Sequence, residues 1–231
     1  VERSVYEDKN FQDKLKDAAT SIKVGSVWEA GNVVGPMITN RNDKLLQALT
    51  LEPGESWLVP PKFIDEKQYI LAPTVKWGVK PGSYSFRTEL FGPMLSVACI
   101  DNLQQGIELV NSLDYGLTSG LQSLDENEQK LWKDSILAGN LYINRGITGA
   151  IVNRQPFGGM KLSAFGGGVK AGGPNYCACL VKITDKPESN TDYKQSYPHA
   201  YEEEFAHARD INKLYGEQNA FRYLPLKKRI F

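Results

Sequence analysis

Between Met94 and Ile143 the chain alternates in a way that few folds accept. Met94 to Ile100 is an apolar run that reads as a buried strand. Asp101 then opens a helix, with Gln104 three residues on at capping-box spacing and Leu103, Ile107 and Val110 as its apolar face. Leu117 to Leu124 reads as a second strand. Asp125 and Glu128 repeat the capping-box spacing ahead of a helix striped by Leu131, Trp132 and Ile136, which Gly139 ends as its C′ residue. Leu141 to Ile143 is the third strand. Strand, helix, strand, helix, strand is the order of a parallel sheet with helical crossovers, so the sequence predicts an α/β fold. Ligands of such folds bind in loops beyond the carboxyl ends of strands, the position that Asn144 to Pro156 occupies.

The stretch Asn140 to Pro174 is rich in glycine and poor in acids. Glycine permits backbone conformations with φ > 0 and close approach of a ligand, and it leaves peptide N–H groups that can form an anion-binding nest. Two readings stay open on local chemistry: a loop that receives a small anionic group, or a surface connection with ordinary turns. Gly166 to Gly173 has no Gly-Lys-Ser/Thr and no preceding strand, so neither a P-loop nor a Rossmann turn is met.

Ahead of this region, Phe11, Leu15, Ala18 and Ile22 recur at helical spacing, and Gly25 stops the helix. Gly31 to Pro36 is a turn region, and a second helix follows from about Asp43 to Leu49. Tyr69-Ile70-Leu71 is a short strand that Pro73 ends or pushes to an edge. Behind it, Asn175 to Ile183 reads as a strand with two apolar faces, to be covered on both sides or paired with another chain. Thr184 to Tyr197 reads as a linker, and Ala200 to Leu214 as a helix with Phe205 and Leu214 on its apolar side.

A chain of 231 residues can bury a substantial core. Its 27 basic and 27 acidic residues cancel, which removes the electrostatic case for a nucleic-acid partner or an anionic membrane. No apolar run is long enough to insert in a bilayer, and the N-terminus is no signal peptide. It lacks an initiator Met, so the chain reads as a piece of something longer. The three cysteines make no disulfide framework. Cys99 reads as a core residue, and Cys177-x-Cys179 lacks further ligands nearby, so no metal is expected. Reduced thiols fit an intracellular, cytoplasmic setting, with a mitochondrial one left open.

Glu89-x-Phe91-Gly92-Pro93, then Tyr115-Gly116-Leu117-Thr118, Ala138-Gly139-Asn140 and Pro156-Phe157-Gly158-Gly159 resemble the aldehyde dehydrogenase superfamily in order and spacing. Lys23-Val24-Gly25, Val34-Gly35-Pro36 and Pro73-Thr74-Val75 match its preceding part, so the resemblance covers roughly Val1 to Ile183. Asn144-Arg145, Thr148-Gly149-Ala150, Gln155 to Gly159 and Lys170 to Pro174 resemble the L-glutamate γ-semialdehyde (1-pyrroline-5-carboxylate) dehydrogenase branch. Gly216 to Leu226 resembles a segment that follows this domain in the bifunctional proline utilization A proteins. One departure is Ala164 after Ser163, where the superfamily has Gly, which bears on the local turn.

The resemblance implies the later, parallel-sheet half of an aldehyde dehydrogenase catalytic region over 1–183 and a linker with a C-terminal extension over 184–231. It implies NAD as cofactor and oxidation of the semialdehyde to glutamate through a cysteine thioester. The nucleophilic Cys, the general-base Glu, the oxyanion-hole Asn and the dinucleotide fold lie upstream in the family, so no catalytic residue is expected here. Glu89 matches the carboxylate that holds the nicotinamide ribose, and Phe91 the ring beside the nicotinamide; otherwise they read as a solvated charge and a core aromatic. Gly149 and Ala150 match the backbone anchor for the substrate's α-carboxylate, and Phe157 the aromatic packed on its aliphatic part. Arg145 and Lys170 could also pair with a carboxylate but read as solvated. The expected partners are a small α-carboxylate substrate and either a second copy or the missing upstream half. An assembly module is the alternative function, resting on the strand at Asn175 to Ile183.

Overall fold

A computed structural model describes residues 1–39, 43–65, 70–165, 169–182, 184 and 193–224. The chain divides into two compact units, Val1–Leu113 and Asp114–Phe231.

The first unit runs α1 (Arg3–Tyr6), α2 (Lys9–Ser21), α3 (Asp43–Ala48), β1 (Ser56–Val59), β2 (Phe63–Asp65), β3 (Ile70–Leu71), β4 (Thr74–Trp77), α4 (Tyr84–Arg87), β5 (Met94–Val97) and α5 (Leu103–Asn111). Its main sheet has the order β1-β4-β5, with β1 antiparallel and β5 parallel to the central β4. All four β4 residues are buried. Val75 and Trp77 pack with Val59 and Val97 under Phe11, Leu15 and Ala19 of α2, and Tyr6 stacks on Trp77. The buried face of α2 therefore runs through Ala19, and the predicted Ala18 and Ile22 are exposed.

The opposite side of β4 carries Thr74, whose hydroxyl donates to the Val59 carbonyl, and Lys76. The Lys76 ammonium is fully buried. It pairs with Glu55 at 3.0 Å and donates to the Thr50 carbonyl and the Ser85 hydroxyl. A buried charge is tolerated only with such partners. A second cluster gathers Leu45, Ala48, Leu71 and Leu90. β5 ends at Val97, short of the predicted Ile100; Leu95 is exposed and Cys99 only half-buried. The cap of α5 lies one residue later than predicted: Asn102 accepts from the Gln105 N–H, and the Gln105 side chain accepts from the Asp101 N–H.

The second unit runs β6 (Tyr115–Gly116), β7 (Thr118–Leu121), α6 (Glu126–Ser135), β8 (Asn140–Ile143) and β9 (Met160–Lys161). A 3-10 helix (Tyr176–Leu180), α7 (Tyr193–Ala200), a π-helix (Tyr201–Phe205), β10 (Arg209–Asp210) and β11 (Ala220–Phe221) follow. β7 and β8 pair in parallel with α6 between them, as the alternation requires. Asp125 caps α6 through the Asn127 N–H, while Glu128 turns instead to the Ser123 hydroxyl. The helix buries Trp132 and ends at Ser135, so Gly139 is not its C′ residue. Gly139 is required by crowding: a Cβ there would lie 1.9 Å from the Gly158 carbonyl oxygen.

Tyr176–Leu180 is helical, not the predicted strand, with Cys177 and Cys179 exposed; Ile183 lies outside the described residues. Of the expected linker, 185–192 lies outside the described residues and Tyr193 onward is helical. The helix predicted to reach Leu214 stops at Phe205. The Asp210 carboxylate accepts from the N–H groups of Asn212 and Lys213, and this side-chain turn diverts the chain into the β10–β11 pair. Phe205 packs edge-on against Tyr223 rather than along a continued helix. Ala164 has no positive φ, so its side chain fits the turn after Ser163.

Candidate functional site

In the first unit, α4 ends as Thr88 turns extended, and the chain enters the turn that leads to β5. Leu90 is buried beside Leu45 and Leu71, which anchors the turn from inside. Its neighbours Glu89 and Phe91 are exposed. Phe91 is 67% exposed and adopts φ 50, a left-handed conformation costly for an aromatic residue. Strain of this kind is held by surrounding contacts and concentrates at ligand sites. Gly92 provides the clearance, because a Cβ there would lie 2.6 Å from Leu45. Among the described residues no side-chain hydrogen bond or ion pair engages the Glu89 carboxylate. The turn thus presents a free acceptor group and an uncovered ring, and Phe91 is not the core aromatic it could have been.

In the second unit, the loop after β8 is held at several points. The Tyr142 side chain is buried on β8, and its hydroxyl donates to the Gly149 carbonyl at 2.9 Å. The Asn140 side chain grips the backbone on both sides of Phe157: its Nδ2 donates to the Pro156 carbonyl, and its Oδ1 accepts from the Gly158 N–H. Phe157 itself exchanges two backbone hydrogen bonds with Ala171. Lys170 closes the arrangement, donating to the Gly139 carbonyl at 2.6 Å, the Gly158 carbonyl at 2.8 Å and Asn140 Oδ1 at 2.9 Å. Burial lowers the Lys170 ammonium from 10.5 to about 8. Lys170 is therefore a half-buried structural staple with three protein acceptors, not the free cation the sequence suggested.

Arg145 is not simply solvated either. It lies 3.6 Å from Glu217 and over the Tyr142 ring, and Glu217 also pairs with Arg154. Hydrogen bonds from Asn219 and then Arg154 hold the Glu217 carboxyl below its ordinary range. Gln155 reaches Asn219 as well, so the C-terminal extension is tied to this loop. Gly149 and Ala150 are exposed, Gly149 at φ 107. Among the described residues neither of their N–H groups has an acceptor. Two unpaired backbone donors on a pinned loop can receive an anion without a side-chain charge.

The sequence model of the aldehyde dehydrogenase family matches residues 1–184. The chain belongs to the aldehyde dehydrogenase family. A 1-pyrroline-5-carboxylate dehydrogenase of Bacillus licheniformis is 33% identical over 181 residues, which are 76% of this chain and 35% of that protein. The structure of proline utilization A from Corynebacterium freiburgense matches with a TM-score of 0.85 at 41% identity, over 94% of this chain and 25% of that one. That coverage exceeds what residues 1–184 alone could supply, so the likeness extends into the C-terminal extension. A Thermus 1-pyrroline-5-carboxylate dehydrogenase with bound NAD matches with a TM-score of 0.68 at 30% identity, over 76% of this chain and 34% of that one. The chain spans about a third of the length of these dehydrogenases. Glu89 and Phe91 lie on one turn of the first unit, and Gly149, Ala150 and Phe157 on one loop of the second. Sequence reasoning missed the holders of that loop. Asn140 and Lys170 stood in the quoted motifs, but only the folded loop shows what they bind.

Proposed function

We propose that this chain supplies the later part of an NAD-dependent dehydrogenase that oxidises L-glutamate γ-semialdehyde to L-glutamate in proline catabolism. The observation that carries the reading is the pair of acceptor-free N–H groups at Gly149 and Ala150 on a loop pinned by Tyr142, Asn140 and Lys170. Such donors suit the α-carboxylate of a small substrate. Phe157, half-buried between the Asn140 contacts, offers its ring to the aliphatic part. The names of the similar dehydrogenases support the same substrate.

Glu89 and Phe91 fit a nicotinamide nucleotide. An acceptor-only carboxylate without a protein partner suits the vicinal ribose hydroxyls, and an uncovered aromatic face orients a flat ring. When bound, NAD supplies the hydride acceptor. The protein groups on this chain bind and orient. Cys99 lies half-buried two residues past β5, and Cys177 and Cys179 ride a 3-10 helix, so none is the nucleophile. Residues 1–183 make the later part of the catalytic region and 184–231 a linker and extension. The working enzyme pairs this chain with a nucleophile- and cofactor-bearing part, within a homo-oligomer.

The test is NADH production from glutamate γ-semialdehyde by the complete enzyme and by this chain alone. The complete enzyme turns over, and the chain alone does not. Glu89→Gln in the complete enzyme lowers turnover about tenfold through a misplaced nicotinamide. Unchanged kinetics with NAD would remove Glu89 from the site. Turnover by the chain alone, lost on Cys177→Ala or Cys179→Ala, would overturn the assignment of the nucleophile elsewhere.

A further inference from the structure

We propose that Tyr142 is a positioning residue: its hydroxyl, by holding the Gly149 carbonyl, aims the Ala150 N–H at the substrate carboxylate. The inference rests on the reading of Gly149 and Ala150 as a carboxylate anchor. Tyr142 is 4% exposed, and its strand is held in register by the pairing of β8 with β7. The hydroxyl donates to the Gly149 oxygen at 2.9 Å. The peptide that joins Gly149 to Ala150 is planar and trans, so its carbonyl and its N–H lie on opposite edges. With the carbonyl drawn toward a buried tyrosine, the Ala150 N–H faces away from it, toward the exposed side of the loop.

That orientation is not one the local chain enforces. The Gly149–Ala150 peptide turns about ψ of Gly149 and φ of Ala150, and Gly149, which sits at φ 107, has no Cβ to hinder its part of that rotation. Without the hydroxyl, this peptide can flip. A flip would turn the N–H inward and present the carbonyl oxygen to the ligand, so an attractive donor becomes a repulsive acceptor. The ring has a separate task. Arg145 lies over it at 5.6 Å from the centroid, a contact that phenylalanine would keep. Tyr142→Phe therefore removes the aiming bond alone.

The experiment uses the complete enzyme. Its readouts are kcat and KM for glutamate γ-semialdehyde and for propanal, which has no carboxylate, and the Kd of L-glutamate as a non-reacting ligand. Tyr142→Phe is expected to raise the semialdehyde KM and the glutamate Kd roughly five- to tenfold, the loss of about one hydrogen bond. The KM values for propanal and NAD stay within about twofold. Placing p-aminophenylalanine at 142 restores a donor and recovers glutamate affinity. An unchanged glutamate Kd in Tyr142→Phe, or an equal loss with propanal, would overturn the proposal. A wild-type enzyme that neither binds glutamate nor oxidises the semialdehyde would instead remove the anchor reading beneath it. One measurement needs no variant: the wild-type Ala150 amide exchanges fast and is slowed by L-glutamate, and protection without ligand would refute the aiming role.

Discussion

Replacing Lys170 with Met asks how firmly one ammonium holds the loop that carries Phe157. Met fills most of the lysine stem but donates nothing. Asn140 Oδ1 keeps its bond from the Gly158 N–H, so the real losses are the donors to the Gly139 and Gly158 carbonyls. Each carbonyl left without a donor in a half-buried site costs about 1 kcal/mol, so the variant loses about 2 kcal/mol. In a chain of 231 residues that lowers the melting temperature by about 4–8 °C. The pH dependence adds a second signature. Burial sets the folded Lys170 at about 8, against an ordinary 10.5. Between those values the unfolded chain holds a proton that the folded one has released. Stability therefore rises with pH across that window and is flat below it, with the size of the rise reduced by the partial exposure of the group. The Met variant lacks the rise. Thermal melts across the window, with amide exchange at Phe157 and Gly158, check both. A melting point within about 1 °C of wild type, or an undiminished pH rise in the variant, would refute the staple.

Two further outcomes follow from crowding and charge. Gly139→Ala forces a Cβ against the Gly158 oxygen at 1.9 Å and Gly159 Cα at 2.7 Å, both backbone, so the loop must move; a loss of about 3 kcal/mol or more is expected in urea denaturation. Lys76→Met leaves the Glu55 carboxylate buried without its cation and costs about 3–5 kcal/mol, while adding Glu55→Leu recovers most of the loss. A double variant no more stable than the single one, by the same denaturation, would show that the pair itself does not set the cost.

Much of the candidate site was legible. Glu89, Phe91, Gly149, Ala150 and Phe157 stood in motifs rich in glycine and proline, and the structure places Glu89 and Phe91 on one exposed turn and Gly149 and Ala150 on an exposed loop. Their holders were not legible. Nothing in Asn-Leu-Tyr-Ile says that the Tyr142 hydroxyl will meet a carbonyl seven residues on. Nothing local to Lys170 says that its acceptors come from residues 139, 140 and 158. The strand predicted at Asn175 to Ile183 failed for a related reason. A short apolar run does not by itself distinguish strand from helix, and here Tyr176–Leu180 winds into a 3-10 turn.

By itself, the sequence determined the parallel β7–α6–β8 unit, because hydrophobic periodicity and caps act over a few residues and point one way. It also determined the break at Pro73, between β3 and β4, because proline has no backbone N–H to donate. Tertiary structure alone decided the central strand β4. Thr74-Val-Lys76-Trp77 is interrupted by a charge and follows Pro73, so its local pattern argues against a buried strand. The strand is central because Glu55, Thr50 and Ser85 are brought to Lys76 from other parts of the unit, and a buried ammonium is stable only where such partners converge.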